Sequence, residues 1–266
     1  MQLSNRIALV TGGGKGIGKA IAEGFAKAGA TVILNELHGA TYVEAVANDI
    51  ILRGGKAEVY YADMSKVADI RAMFQHIQLI HKRLDILVNN AGITGWSDFF
   101  DTDETLFDTV INLNIKGTLF CSIEAAKIMR GQNSGSIINI SSICSVLSVK
   151  NLICYSTSKG GIEAMSKQMA VELAPYNIRV NTFAPGAINT ERNLSEDPDY
   201  RKNWGSVIPM QRTGEPEEMV GPALFLASDA ASFVTGQFFS VDGGWSVQGK
   251  FSEKSMDSQL KNTKDK

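Results

Sequence analysis

The chain predicts an α/β fold of the doubly wound kind, one seven-stranded parallel sheet with helices on both faces. Three observations carry that reading. Seven short apolar, β-branched segments recur along the 266 residues, separated by longer amphipathic stretches, the pattern of strands buried on both faces and joined by helical crossovers. The first of them runs straight into a glycine-rich turn, Gly12-Gly13-Gly14-Lys15-Gly16-Ile17-Gly18. Later segments end in small or polar residues, at the carboxyl ends where open parallel sheets bind ligands.

Arg6–Thr11 reads as the first strand. The glycines after it let the backbone turn tightly and approach a pyrophosphate with no Cβ in the way, and a helix beginning near Gly16 directs its free N–H groups at the anion. The spacing Gly12, Gly16, Gly18 is GxxxGxG, not the GxGxxG of the usual dinucleotide fingerprint. Gly13 with Gly18-Lys19 also approaches a P-loop, but Ala20 stands where Ser or Thr must bind magnesium, which argues against a nucleoside triphosphatase. The second strand, Thr31–Asn35, leads to Glu36, 18 residues beyond Gly18, where a dinucleotide fold places its ribose-binding carboxylate. A carboxylate there accepts from the 2′-hydroxyl and repels a 2′-phosphate, so Glu36 favours NAD. Lys15, a cation inside the turn, pulls toward NADP and leaves that cofactor possible.

The remaining strands are expected at Ala57–Tyr61, Asp85–Asn89, Ser136–Ile140, Ile178–Thr182 and Gln237–Val241, with helices such as Lys66–Lys82 and Glu163–Ala174 between them. Their ends carry Asp63, Asn89-Asn90-Ala91-Gly92, Asn139-Ile140-Ser141-Ser142 and Ala184-Pro185-Gly186. No linker, repeat or low-complexity break divides the chain, so residues 1–247 are expected to form one domain. Residues 248–266, rich in lysine, serine, aspartate and asparagine, read as a flexible polar tail.

With 44% hydrophobic residues and no run of about 18 apolar residues, the composition is that of a globular protein that does not span a membrane. A net charge of −2 gives no electrostatic reason to expect nucleic acid or anionic lipid. No secretory signal is evident at the start, so the cytoplasm is the expected compartment. Cys121, Cys144 and Cys154 fall in no metal or disulfide spacing and read as buried free thiols. His38, His76 and His81 form no HExxH, and the gap between the last two is expected to spread them around a helix. No metal is expected.

Tyr155 and Lys159 stand four residues apart, so one helical turn sets a phenol beside an ammonium. A free tyrosine titrates at about 10, and a cation within about 4–6 Å favours the phenolate, so Lys159 is expected to bring Tyr155 toward the working range. Taken alone the pair is weak evidence, because Tyr and Lys at this spacing are common on solvated helix faces.

The ordered set changes that weighing. Thr11-Gly12 through Gly18, Asp63, Asn89-Asn90-Ala91-Gly92, Asn114 within Asn112-Leu113-Asn114, Ser142, Tyr155 with Lys159, Pro185-Gly186, Arg212–Glu218 and Val241-Asp242-Gly243-Gly244 together resemble the short-chain dehydrogenase/reductase family over about residues 3–246. The resemblance implies a Rossmann-type fold and an NAD(P)-dependent oxidoreductase acting on an alcohol or carbonyl, with hydride exchanged at nicotinamide C4. It implies that Tyr155 is the acid/base, that Lys159 lowers the phenol's pKa and holds the nicotinamide ribose, that Ser142 holds the substrate oxygen, and that Asn114 anchors a water chain from Lys159. It further implies that Asp63 contacts adenine, that Asn90, Ala91 and Gly92 pass beside the adenosine ribose, and that Pro185, Gly186, Ile188 and Thr190 cover the nicotinamide. Ser145 departs from the family's common glycine.

The segment Asn189–Met210 lies where the family carries its variable substrate loop. Its Glu191, Arg192, Asn193, Asp197, Asp199, Tyr200, Arg201 and Trp204 favour a sugar, polyol or sugar acid. A 3-oxoacyl thioester and a steroid alcohol are the competing substrates, and a noncatalytic dinucleotide-binding regulator is the remote alternative. The family further implies a homotetramer pairing the helices of Asn114 and Tyr155.

Overall fold

The computed structural model describes residues 2–249 of the chain. Its sheet contains β1 (Ile7–Thr11), β2 (Thr31–Glu36), β3 (Lys56–Tyr61), β4 (Ile86–Asn89), β5 (Gly135–Ile140), β6 (Ile178–Pro185) and β7 (Phe238–Val241). All pairings are parallel, in the order β3-β2-β1-β4-β5-β6-β7. The order reverses between β1 and β4, and the connections after these two strands leave a crevice at their carboxyl ends.

The strand period of two divides the core. Ala8 and Val10 of β1, with Val32, Leu34 and Ile138, face α1 (Gly16–Lys27), α2 (Tyr42–Leu52) and α9 (Val220–Ala227) through Ile21, Phe25, Val43 and Leu226. Leu9, Ile33, Leu87 and Ile137 face the other way, onto α3 (Val67–Ile80), α5 (Thr118–Gln132) and α6 (Ile153–Leu173), through Ile70, Met73, Cys121 and Ala170. Full burial of an aliphatic or aromatic side chain contributes about 1.5–3 kcal/mol, so these two layers dominate the fold's stability.

The elements differ from expectation in instructive places. Helix α6 begins ten residues before the expected Glu163 and so contains Tyr155 and Lys159 in its opening turns. Ser156, Thr157, Ser158, Gly160 and Gly161 are weak helix formers that hide this stretch. Tertiary packing overrides them: Gly161 packs against Ile115, whose Cδ1 would lie 2.6 Å from an added Cβ and would have to shift to admit one. That neighbour is a π-helical turn, Asn112–Gly117, set between α4 (Glu104–Ile111) and α5 and not foreseen from the sequence.

Strand β6 extends past Thr182 to Pro185, because Phe183–Pro185 pair with β7. Asp85 precedes β4, and its buried carboxylate accepts from Ile7 N at 2.8 Å and from Arg83. His76 and His81 are not spread apart: their Nε2 atoms lie 3.9 and 2.9 Å from the same Glu58 oxygen, because His81 falls just past the end of α3. Cys121 and Cys154 are buried thiols, whereas Cys144 is only half-buried. No helix among the described residues is long and apolar enough to cross a membrane. Apart from Gln248 and Gly249, the expected polar tail lies outside the described residues.

Candidate active site

A cleft of about 800 Å³ opens at the carboxyl ends of the strands, over the crevice between β1 and β4. Gly12, Lys15, Gly16 and Ile17 form its floor. Gly12 adopts φ +62° and Gly16 φ +50°, left-handed values that favour glycine. Gly18 does not line the cleft. A Cβ there would fall 2.1 Å from the Gly12 carbonyl oxygen, so its part is to let α1 approach the end of β1. Asn90 pins the turn by donating to the carbonyls of Thr11 and Gly12, both at 3.0 Å. The Thr11 hydroxyl in turn accepts from the N–H groups of Asn90 and Ala91.

At the outer end, Glu36, Leu37, Tyr42 and Asp63 line the wall. Glu36 Oε1 accepts from Leu37 N at 3.3 Å, and Lys15 Nζ sits 3.8 Å from the centroid of the Tyr42 ring. Burial, followed by the nearby Glu36 carboxylate, raises the Tyr42 pKa. Carboxylate, phenol and ammonium therefore share one corner. Burial pushes the Asp63 carboxyl upward, but bonds from Ser65 and the ion pair with Lys66 more than offset it, leaving its pKa low.

At the inner end, α6 brings Tyr155 and Lys159 beside Ser142, the residue that caps a short 3-10 turn after β5. The Ser142 hydroxyl accepts from Cys144 N at 3.2 Å and keeps its own proton free to donate. Lys159 Nζ donates to Ile140 O at 2.9 Å, while Ser141 Oγ donates to Lys159 O at 3.0 Å, so the end of β5 fixes this turn of α6. Lys159 Nζ lies 5.4 Å from the centroid of the Tyr155 ring.

The expected lowering of the phenol's pKa is not what the structure gives. Burial dominates and pushes Tyr155 up to about 12, with Ser142 and then Arg192 pulling it partly back. Burial also pushes Lys159 down to about 8, which weakens it as a fixed cation. The resting phenol is thus a proton donor at neutral pH.

Asn114 is fully buried in the π-helical turn and does not reach the cleft. Its amide accepts from Ile93 N at 3.0 Å and donates to Ile93 O and Ser158 Oγ at 2.9 Å, tying the loop after β4 to α6. Asn90, Ala91, Gly92, Pro185, Gly186, Ile188 and Thr190 all line the cleft.

The roof is α7 (Glu191–Glu196), capped by Thr190, whose hydroxyl accepts from Asn193 N. Glu191 Oε2 accepts from Gly16 N at 3.1 Å, placing a carboxylate on the glycine turn itself. Arg192 reaches across to the Thr94 hydroxyl on the loop after β4 and bonds Glu196 Oε1 at 2.7 Å through Nε. Sequence reasoning did not single out Tyr42 and Thr94 as lining residues. Neither stands in a motif, and only tertiary approach brings them to the cleft. Among the described residues, no group of three or more His, Cys, Asp or Glu side chains is arranged to hold a metal.

Comparison with known proteins agrees with this architecture. The family model described as enoyl-(acyl carrier protein) reductase matches residues 12–246. A 3-oxoacyl-[acyl-carrier-protein] reductase of Synechocystis sp. is 38% identical over 245 residues, covering 91% of this chain and 97% of that protein. A solved chain from Agrobacterium tumefaciens, provisionally assigned as a gluconate dehydrogenase, superimposes with a TM-score of 0.90 at 34% identity, covering 93% and 98% of the two chains. The gluconate 5-dehydrogenase of Burkholderia cenocepacia, solved with NADP and tartrate, gives a TM-score of 0.88 at 32% identity over 93% and 98%. The chain belongs to the short-chain dehydrogenase/reductase family of oxidoreductases.

Proposed function

We propose that the protein interconverts an alcohol and a carbonyl on a small hydroxylated substrate, a sugar, polyol or sugar acid, with a nicotinamide dinucleotide bound along the glycine turn. The observation that carries this reading is one cleft lined at one end by Gly12, Lys15, Gly16 and Glu36 and at the other by Ser142, Tyr155 and Lys159. The cradle suits the cofactor: Gly12 and Gly16 hold left-handed φ values that bring the turn's backbone up to a diphosphate with no side chain in the way. When bound, the nicotinamide supplies or accepts the hydride.

The chain's own residues do the rest. Tyr155, a phenol at neutral pH and held more firmly so by burial, donates to the carbonyl oxygen in reduction and is left as phenolate; in oxidation it is the phenolate that takes the alcohol's proton. Ser142 donates to the same oxygen and steadies its developing charge. Lys159, fixed by Ile140 O, would hold the nicotinamide ribose and pass protons toward the phenol, with Asn114 holding the backbone around it. Asp63 would contact the adenine and Asn90, Ala91 and Gly92 would pass beside the adenosine ribose, while Pro185, Gly186, Ile188 and Thr190 would cover the nicotinamide.

Glu36 favours NAD, and the Lys15–Tyr42 corner supports tolerance of NADP, the cofactor held by the Burkholderia relative. Gluconate dehydrogenases among the structural relatives support the hydroxylated substrate, and the 3-oxoacyl reductase among the sequence relatives keeps a thioester as the second reading. We further propose that residues 1–247 act as one catalytic unit in a homotetramer, with Phe107, Ile123 and Val171, exposed on α4, α5 and α6, at the contact between subunits. Light scattering checks the assembly. A panel of sugars, polyols, aldonic acids, hydroxysteroids and oxoacyl thioesters, followed by absorbance of reduced nicotinamide with each cofactor, tests the reaction. Turnover confined to thioesters or steroids overturns the substrate reading.

A further inference from the structure

The inner end of the cleft contains a cation that proton transfer leaves unused. Arg192 stands on α7, lines the same cleft as Ser142 and Tyr155, and leaves 45% of its side chain exposed. Two contacts hold its guanidinium over the opening. Nε bonds Glu196 one turn along the helix, and Nη2 bonds the Thr94 hydroxyl on the opposite wall. Nη1 has no acceptor among the described residues. The neighbouring acid, Glu191, is turned away onto Gly16 N, so its charge is directed at the glycine turn. The remaining cation of this end, Lys159, is buried and committed to Ile140 O. A planar guanidinium braced on one edge and open on the other matches a carboxylate, and adds little for an uncharged polyol or a steroid.

We propose that Arg192 receives a carboxylate of the substrate, so that the protein acts on hydroxy acids and their oxo-acid products. This rests on the redox reading above and narrows it. Arg192, Ser142 and Tyr155 line one cleft, so a single small molecule can present its carboxylate to the first and its reacting carbon to the other two. The Thr94 bond aims the group across the cleft. The tartrate held by the Burkholderia relative is a small hydroxy acid of this chemical class.

The test pairs binding with kinetics in wild type, Arg192→Gln and Arg192→Lys. Tartrate is titrated calorimetrically into each protein loaded with reduced cofactor, and turnover is compared on D-gluconate and its uncharged counterpart D-glucitol. The expected result is tartrate affinity weakened roughly 30-fold in Arg192→Gln and less in Arg192→Lys, the range of a lost charge-assisted pair. KM for gluconate rises by a similar factor, glucitol is affected far less, and cofactor affinity and circular dichroism stay near wild type. Tartrate that fails to bind wild type, or binds Arg192→Gln equally well, overturns the assignment. So does equal loss on gluconate and glucitol, which marks Arg192 as a structural brace. If wild type turns over uncharged alcohols regardless of Arg192, the carboxylate proposal alone falls; if it turns over no alcohol or carbonyl with either cofactor, the redox reading falls with it.

Discussion

The floor of the cleft and its roof are held by different forces. Under β1 and β4 the floor is positioned by backbone: left-handed glycines, the Thr11 and Asn90 bonds to main-chain atoms, and a helix brought to within a Cβ's width of the turn. The roof, residues 189–215, is anchored by main-chain bonds where Asn189 meets Gly214 and Met210 meets Gly243, and between these by side chains bonding one another: Asn189 with Glu215 and Thr213, Asn193 with Tyr200, Arg192 with Thr94 and Glu196. A floor built on main-chain sterics admits few sequences and holds a ligand common to many enzymes. A roof built on exchangeable polar pairs changes its specificity with single substitutions and leaves the fold intact.

The sharpest way to break this contrast is Gly18→Ala. Its methyl would meet the Gly12 carbonyl, which is main chain and has no rotamer to relieve it. Destabilisation of about 3 kcal/mol, with loss of dinucleotide binding, is the outcome expected in denaturant unfolding and cofactor titration. A near-native variant would show that the turn is softer than described.

Next in size is Glu36→Ala. Removing the carboxylate beside Tyr42 and Lys15 shifts the NADP-to-NAD ratio of kcat/KM toward NADP by roughly ten-fold or more, about 1.4 kcal/mol. An unchanged ratio, or wild type already preferring NADP, contradicts the role given to Glu36.

The floor was legible in the sequence from local sterics, whereas the roof was legible only as a segment, Asn189–Met210, and not in the bonds that hold it. Gly12, Gly16 and Glu36 follow from where a strand must end and what fits beside a phosphate, because local sterics dictate those residue types. Tyr155 and Lys159 stood out only within the ordered set of motifs and not by their spacing alone, the low helix propensity of Ser156–Gly161 concealed how early α6 begins, and burial reversed the expected direction of the phenol's pKa. Asn114 and Gly18 illustrate a second limit. The sequence named both, yet only the fold reveals that they stand behind the cleft wall. Tyr42 and Thr94 carry no local signal, since they matter through partners far away in the chain.

Two smaller effects sharpen the comparison where floor and roof touch. Glu191 lays a carboxylate on Gly16 N, where a diphosphate would bind, so Glu191→Gln is expected to tighten dinucleotide affinity roughly three- to ten-fold by fluorescence titration. Weaker binding would mean that the acid organises the site instead of competing for it.

The smallest effect concerns Lys159. Burial lowers its pKa from 10.5 to about 8. Below about 8 the folded protein carries the full cost of a buried charge. Between about 8 and 10.5 the unfolded chain binds more protons than the folded one, so wild-type stability gains from rising pH in that window. Lys159→Met escapes the cost but leaves Ile140 O unpaired, so its melting temperature should exceed wild type by roughly 2–4 °C at pH 7. That margin should narrow as pH rises from 8 toward 10. A constant margin would show that the charge is not the cause.

The redox role rests most directly on one hydroxyl. Stopped-flow and steady-state turnover of Tyr155→Phe, measured beside its affinity for reduced cofactor, isolates that group. The account predicts turnover lower by roughly a hundred- to ten-thousand-fold with cofactor affinity near wild type. Turnover retained without the phenol would contradict it.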